Sequence, residues 1–218
     1  MGNILVIGDL HEPFCLDEYL FFNKWLYKKH KCNRVIFIGD IIDGHSWSYH
    51  EPNQDGMSPG EELSFTIKRL KRWYKVFPKA DVLLGNHDML IHRKAKTHKL
   101  PSGAIRPFRE MIKAPDGWNF HLSLKIDGVM YVHGSTGTAI QRAMMSRMST
   151  VQGHLHSRSF VEWSVSEKDK IFGLQVGCGI DRHAYAFEYG KDMVKKPVIS
   201  SGVLLDNGRL PIIELADL

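Results

Sequence analysis

The chain has 218 residues, enough for one sizeable hydrophobic core and too few for two domains of ordinary size. Hydrophobic residues make up 43% and charged residues 24%, which is typical of an ordinary globular protein. The formal net charge of +5 suits anionic ligands such as phosphate esters or nucleic acid, and equally an ordinary solvated surface.

The N-terminal sequence does not predict export or a membrane anchor. The apolar run at residues 4–7 is too short for a signal peptide, and no apolar run is long enough to span a membrane. The three cysteines, Cys15, Cys32 and Cys178, lack paired metal-binding spacing. We therefore expect a cytoplasmic protein with reduced thiols, no membrane partner and a single domain over residues 1–218.

The opening of the chain predicts a strand, a helix and a second strand. Residues 3–7 and 35–38 are continuous apolar runs, as in strands buried on both faces, and residues 16–30 between them have helical spacing. Asp9 follows the first strand, and Asp40 and Asp43 follow the second. Because ligands bind at the carboxyl ends of strands in open α/β sheets, we expect a site there.

The middle of the chain predicts a long loop, a second helix and a third strand. The loop covers residues 44–60, and residues 59–77 form an amphipathic helix whose basic run is interpreted as a solvated face. The apolar run at residues 82–84 ends in Gly85, Asn86, His87 and Asp88.

The second half predicts short strands joined by hairpins. Residues 91–111 are basic and partly helical, with a break at residues 101–103, and Asp127-Gly128 is a hairpin turn signal. The predicted strands of this half cover residues 119–126, 129–132, 150–152, 160–165, 171–176 and 203–205.

Five polar clusters follow or flank these apolar runs. They are Asp9-Leu10-His11, Asp40 with Asp43, Asn86-His87-Asp88, His133, and His154-Leu155-His156. Mixed nitrogen and oxygen ligands suit Mn, Fe, Zn, Ni or Co better than Mg or Ca. The absence of cysteine from the clusters argues against a structural zinc site.

The spacing within the clusters supports metal binding, although each cluster alone has an ordinary alternative. In an extended segment, residues i and i+2 point the same way, so Asp9 with His11, and His154 with His156, can serve one region. A lone His133 could be a core histidine, Asp40 a helix cap and Asp9 an Asx-turn. The conjunction predicts a metal centre in which one carboxylate can bridge two ions.

In this order the clusters resemble the motifs of the calcineurin-like metallophosphoesterases: D-x-H, G-D-x-x-D, G-N-H-D/E, a single His and G-H-x-H. The resemblance spans residues 9–156. It implies an α/β fold, a four-layer αββα sandwich of two mixed β-sheets flanked by helices.

The resemblance also implies two divalent metal ions, with Mn as the first choice and Fe, Zn, Ni, Co or Mg as alternatives. The implied reaction is hydrolysis of phosphate esters by a metal-bridging hydroxide, with His87 as the proton donor and Asp43 orienting or charging His87. The implied ligands are Asp9, His11, Asp40 and His156 for one metal, and Asp40, Asn86, His133 and His154 for the other.

One departure bears on the substrate. The protein Ser/Thr phosphatases of this superfamily carry a phosphate-clamping Arg where this chain has Gly44, which favours phosphodiesters or small nucleotide-like phosphates here. The loop beginning at His45 either contacts the substrate or is a surface loop with one anchoring aromatic residue. Arg93 and Lys94 are further candidates for phosphate contact.

Two alternative functions stay open at this point. A nuclease of the same superfamily would need a nucleic-acid groove, but the sequence shows neither an added domain nor interleaved aromatic and basic residues. A catalytically inactive scaffold that binds partner proteins would be expected to have lost ligands or His87, and none is missing. The sequence does not fix the oligomeric state.

Overall fold

Two mixed β-sheets lie face to face, and each carries helices on its outer side. The computed structural model describes residues 2–51, 53–186 and 195–218. Its strands are β1 (Asn3–Ile7), β2 (Cys32–Phe37), β3 (Ala80–Leu83), β4 (Trp118–His121), β5 (Leu124–Ile126), β6 (Val129–Val132), β7 (Ser149–Gln152), β8 (Phe160–Val165), β9 (Lys170–Gln175), β10 (Ser200–Leu205) and β11 (Leu210–Leu215). Its α-helices are α1 (Asp17–Lys29), α2 (Pro59–Val76), α3 (Leu90–Thr97), α4 (Phe108–Met111) and α5 (Ala139–Ser146). None of these helices has both the length and the apolar character that crossing a bilayer requires.

The strand order confirms the predicted sandwich. The first sheet has the order β11-β10-β1-β2-β3-β4, in which β1 to β4 are parallel and β10 pairs antiparallel with both β1 and β11. The second has the order β5-β6-β7-β9-β8, with β6, β7 and β9 parallel and an antiparallel strand at each edge. Both sheets are therefore mixed, as the resemblance implied.

Successive side chains of a strand point to opposite faces of the sheet, and a separate hydrophobic core lies on each face of the first sheet. In β1, Leu5 and Ile7 pack with Trp73 of α2, whereas Ile4 and Val6 pack with Phe172 of the second sheet. Full burial of such side chains stabilises the fold by about 1.5–3 kcal/mol each. A third cluster, between α5 and the outer face of the second sheet, completes the four layers.

The structure corrects one prediction in the second half and adds two elements. Residues 119–126 are not one strand, because the chain crosses from the first sheet to the second between β4 and β5. Helix α5 and strand β11 were not predicted. The predicted hairpin turn is confirmed: Asp127 and Gly128 have φ angles of 51° and 75°, as a type I′ turn requires, and Ile126 pairs with Val129.

Candidate metal centre

The carboxyl ends of β1, β2 and β3 meet those of β6 and β7 at one edge of the sandwich. The five polar clusters lie in the turns that follow these strands. Two sets of potential ligand atoms form there, each set within 4.8 Å: Asp9, His11, Asp40 and His156 in one, and Asp40, His133 and His154 in the other. Asp40 belongs to both sets, which is the position a bridging carboxylate would need.

In the first set, imidazole and carboxylate atoms converge at short distances. His156 Nε2 lies 3.0 Å from Asp9 Oδ2 and 3.2 Å from His11 Nε2. His11 Nε2 lies 3.5 Å from Asp40 Oδ2. Two imidazole nitrogens that face each other beside two carboxylates form a donor set suited to a divalent cation.

The second set is arranged around His133. Its Nε2 lies 3.1 Å from Asp40 Oδ2 and 3.1 Å from Asn86 Oδ1, so the Asn86 amide joins the group through its oxygen. Its Nδ1 donates to the main-chain oxygen of Ile38 at 3.2 Å, which fixes the ring orientation.

The buried polar atoms fit a divalent metal. Asp9 and Asp40 are at most 1% exposed. Asp9 Oδ1 is inaccessible and has no hydrogen-bond partner among the described residues. An unpartnered buried carboxylate oxygen is costly unless a cation or proton compensates it. The residues present therefore fit the implied metal pair in both chemistry and placement.

The turns that carry the ligands have a left-handed backbone. His11, Asp40 and His154 have φ angles of 53°, 46° and 70°, although such values are rare outside glycine. His11 and His154 therefore do not lie in extended segments, contrary to the sequence prediction. His11 still joins Asp9 in one ligand set, whereas His154 and His156 fall in different sets. Gly85 allows the close approach, because a Cβ there would lie 2.0 Å from Asp40 Oδ1.

The local electrostatics divide the histidines into two groups. Burial lowers the pKa of His11, aided by His87, and burial together with His133 lowers that of His154. For His133, burial acts downward, but Asp40 and Asp9 outweigh it and raise the pKa to about 10. Without a metal, His133 is therefore protonated at neutral pH, while the other two rings favour their neutral form.

His87 lies beside the ligand sets, and two hydrogen bonds join it to the turn after β2. Its Nδ1 lies 2.6 Å from the main-chain oxygen of Asp43, and its amide donates to Asp40 Oδ1 at 2.8 Å. Burial would lower the pKa of His87, but the carboxylates of Asp40 and Asp43 raise it above its usual value. His11, Asp43 and His87 also form a third group of possible ligands.

The carboxylate and the carbonyl of Asp43 approach different histidines most closely. Its carboxylate Oδ1 is 3.8 Å from His87 Nδ1 but only 2.6 Å from His11 Nδ1. The carboxylate therefore supports a potential metal ligand, and the carbonyl makes the hydrogen bond to His87.

Three buried acidic residues support the site, although sequence reasoning gave them no role. Asp88 accepts hydrogen bonds from the amides of Ile41, Ile42 and Gly85, which ties the turn after β3 to the turn after β2. The other two are Glu62, which holds the loop after β2, and Glu12, which contacts Arg69 and Trp73 of α2. For Glu62 the signal was available: it lies on the apolar face of its helix.

The two tentative substrate contacts have different surroundings. His45 is 7% exposed, and its Nε2 accepts a hydrogen bond from the amide of Asn53, which matches the anchoring alternative for this loop. Arg93 is exposed on α3, where its guanidinium lies 5.4 Å from the ring centroid of Tyr49. The neighbouring Lys94 contacts the same ring at 5.1 Å and donates to the main-chain oxygen of Ser48.

The chain was compared with solved structures, curated protein sequences and protein-family models. Solved structures similar to the chain include an archaeal phosphodiesterase (14% identity, TM-score 0.49, covering 98% of this chain and 99% of that one). A second is vacuolar protein sorting 29 from Cryptosporidium parvum (15% identity, TM-score 0.49, covering 99% of this chain and 93% of that one). A third is a metallophosphoesterase from Sphaerobacter thermophilus (13% identity, TM-score 0.47, covering 99% of this chain and 88% of that one). A comparison with curated protein sequences found no match. The family model of the calcineurin-like phosphoesterases matches residues 2–175, and the chain belongs to that family.

Proposed function

We propose that the chain hydrolyses phosphodiesters or small nucleotide-like phosphate esters with the help of two divalent metal ions, Mn being the first to test. The observation that carries the proposal is that two ligand sets share Asp40 while His87 lies beside them. Both sheets contribute ligands, which also supports a single domain over residues 1–218.

The proposed roles follow from the contacts. Asp9, His11, Asp40 and His156 would hold one ion, and Asp40, Asn86, His133 and His154 the other. Bound divalent metals supply Lewis acidity, which lowers the pKa of water and neutralises phosphate charge. His87 supplies the proton to the leaving oxygen. Its raised pKa favours the protonated ring, and its hydrogen bond to Asp43 fixes the ring.

The backbone at Gly44 supports the preference for diesters. Gly44 has a φ of 70°, and a Cβ there would lie 2.6 Å from Trp47 Nε1. An arginine therefore does not fit this backbone, and no bidentate clamp for a monoester dianion arises at this position. Arg93 is the proposed phosphate contact among the exposed cations of α3, whereas His45 is proposed to shape the loop.

The test compares metal-stripped and manganese-reloaded protein on four esters. Bis-p-nitrophenyl phosphate and p-nitrophenyl phosphate separate diester from monoester activity, and a dinucleoside phosphate has an alkoxide leaving group that needs a proton. A longer single-stranded oligonucleotide tests the nuclease alternative. We expect metal-dependent cleavage of both diesters, slower cleavage of the monoester and no preference for the oligonucleotide.

Histidine variants test the proton donor. His87→Asn should lower kcat on the dinucleoside phosphate by about 10²–10⁴-fold and change the aryl diester much less, because p-nitrophenolate leaves without a proton. His98→Asn, at an exposed position after α3, is the matched control. A marked preference for the monoester would contradict the diester proposal. No turnover of any ester with metal bound would contradict the enzymatic proposal and favour a binding scaffold.

A further inference from the structure

A buried carboxylate of α2 holds the loop that follows β2. Glu62 is 0% exposed, and its two oxygens accept hydrogen bonds from consecutive main-chain amides. Oε1 lies 2.9 Å from the amide of His45, and Oε2 lies 2.8 Å from the amide of Ser46. Charge-assisted bonds of this kind are strong, and a buried carboxylate that lost one would be left partly unsatisfied.

Only Gly44 separates these amides from the carbonyl that binds His87. Gly44 reverses the chain in a left-handed conformation, and the preceding main-chain oxygen of Asp43 lies 2.6 Å from His87 Nδ1. A carbonyl can only accept a hydrogen bond, so Nδ1 carries the proton of this contact. The nitrogen left to face a substrate is therefore Nε2.

We propose that Glu62 is a positioning residue for His87, acting through the two amides, the Gly44 turn and the carbonyl of Asp43. The inference rests on the proposed function, in which His87 protonates the leaving group. In Glu62→Gln, one acceptor oxygen becomes an NH₂ group that faces an amide N–H, so one of the two bonds is lost. The loop then moves, and the hydrogen bond to His87 weakens.

Two further polar residues of α2 reach a different loop. Thr66 donates to the main-chain oxygen of Glu12 at 3.3 Å, and Trp73 Nε1 donates to its carboxylate at 2.8 Å. These contacts support the loop after β1, which carries His11, and they do not involve Glu62. Although the Asp43 carboxylate also contacts His11, the effect of Glu62→Gln should therefore fall mainly on the proton donor.

The first measurement is proton NMR of the metal-free full-length chain. The hydrogen-bonded Nδ1–H of His87 should give a protected downfield resonance, identified by its absence from His87→Asn. We expect it to broaden or vanish in Glu62→Gln and to persist in Glu61→Gln. Glu61 caps α2 through Ser58, a role that glutamine also fills, so it is a matched control on the same helix.

The second measurement uses the manganese-loaded protein and two diesters. Glu62→Gln should lower kcat on the dinucleoside phosphate at least about tenfold, part of the roughly 10²–10⁴-fold that general acid catalysis provides, with KM unchanged. The loss on bis-p-nitrophenyl phosphate should be small, and metal affinity by calorimetry should change much less than kcat on the dinucleoside phosphate.

A persistent His87 resonance in Glu62→Gln, or equal losses on both diesters, would overturn the assignment of Glu62. The NMR result does not depend on turnover. If the wild-type chain cleaves neither diester, the proposed function fails, and the resonance still decides whether Glu62 orients His87.

Discussion

Asp43 Oδ1 lies 2.6 Å from Nδ1 of His11, so this carboxylate faces the rear of a proposed metal ligand. A carboxylate behind a ligating histidine fixes the ring and makes its other nitrogen a better donor. One residue thus serves two parts of the site, because the main-chain oxygen of Asp43 binds His87.

Asp43→Asn should therefore weaken metal binding. The amide has no charge to stabilise the ring, and we expect metal affinity to fall about 10–100-fold, as measured by calorimetry. Asp116→Asn, at a fully exposed side chain, is the control and should leave affinity unchanged. An unchanged affinity in Asp43→Asn would show that the carboxylate does not support a ligand.

Metal affinity should rise with pH because of His133. Its pKa is raised to about 10 in the metal-free protein, so a metal must displace its proton, and affinity should increase up to about tenfold per pH unit between pH 7 and 9. The pKa values of His11 and His154 are lowered, so these rings add little to the release at neutral pH. Calorimetry in two buffers of different ionisation enthalpy counts the protons released.

The raised pKa of His133 also makes the stability of the metal-free protein depend on pH. A histidine whose pKa is higher in the folded state contributes stability that is fully present below its unfolded value of 6.5 and is lost as pH rises through about 10. The free energy of unfolding should thus decline across this window without metal and decline less with metal bound. Denaturant titrations at several pH values measure this difference, and equal slopes would contradict it.

Gly44→Ala should destabilise the fold. A side chain at a φ of 70° is strained, and its Cβ would contact the Trp47 ring, so we expect a loss of about 1–3 kcal/mol in the free energy of unfolding. Gly60→Ala is the matched control, because a Cβ at that helical glycine meets open space. Denaturant unfolding measures both, and equal stabilities would show that the turn at Gly44 tolerates a side chain.

Asp88→Asn should loosen the contact between two ligand-bearing turns. Two carboxylate oxygens now accept three amide hydrogens, and the NH₂ of asparagine would oppose at least one of them. We expect a loss of about 1–3 kcal/mol, with weaker metal binding. Asp127→Asn, at a hairpin position that asparagine also favours, should be neutral in the same unfolding and calorimetry measurements.

The strands that carry the site were predictable because they are short and buried on both faces. Ile4, Leu5, Val6 and Ile7 form an unbroken apolar run in β1, so the first polar residue after it, Asp9, marks the strand end. The apolar runs at residues 35–38 and 82–84 predicted the ends of β2 and β3 in the same way. Local sequence was sufficient to predict these strands because a short run of consecutive apolar residues indicates both the length and the burial of a strand.

Other elements gave no local signal. The crossing between β4 and β5 occurs at Leu122 and Ser123, where neither glycine nor proline marks a turn. Strand β11 contains Pro211, which weakens a strand prediction and is tolerated because β11 is an edge strand. The partners of Asp43 and Glu62 were likewise unpredictable, since they depend on how separate loops meet.

The contacts that α2 makes with two loops also couple the motions of these loops. Glu62 and Arg69 lie about two turns apart on one helix, and they reach the loops after β2 and β1 respectively. A rigid-body displacement of α2 would carry both loops in the same direction. We therefore expect the distance between His87 and His11 to vary less than the distance of either loop from the sheet. Thermal motion of the helix would then change the geometry of the proposed active site very little.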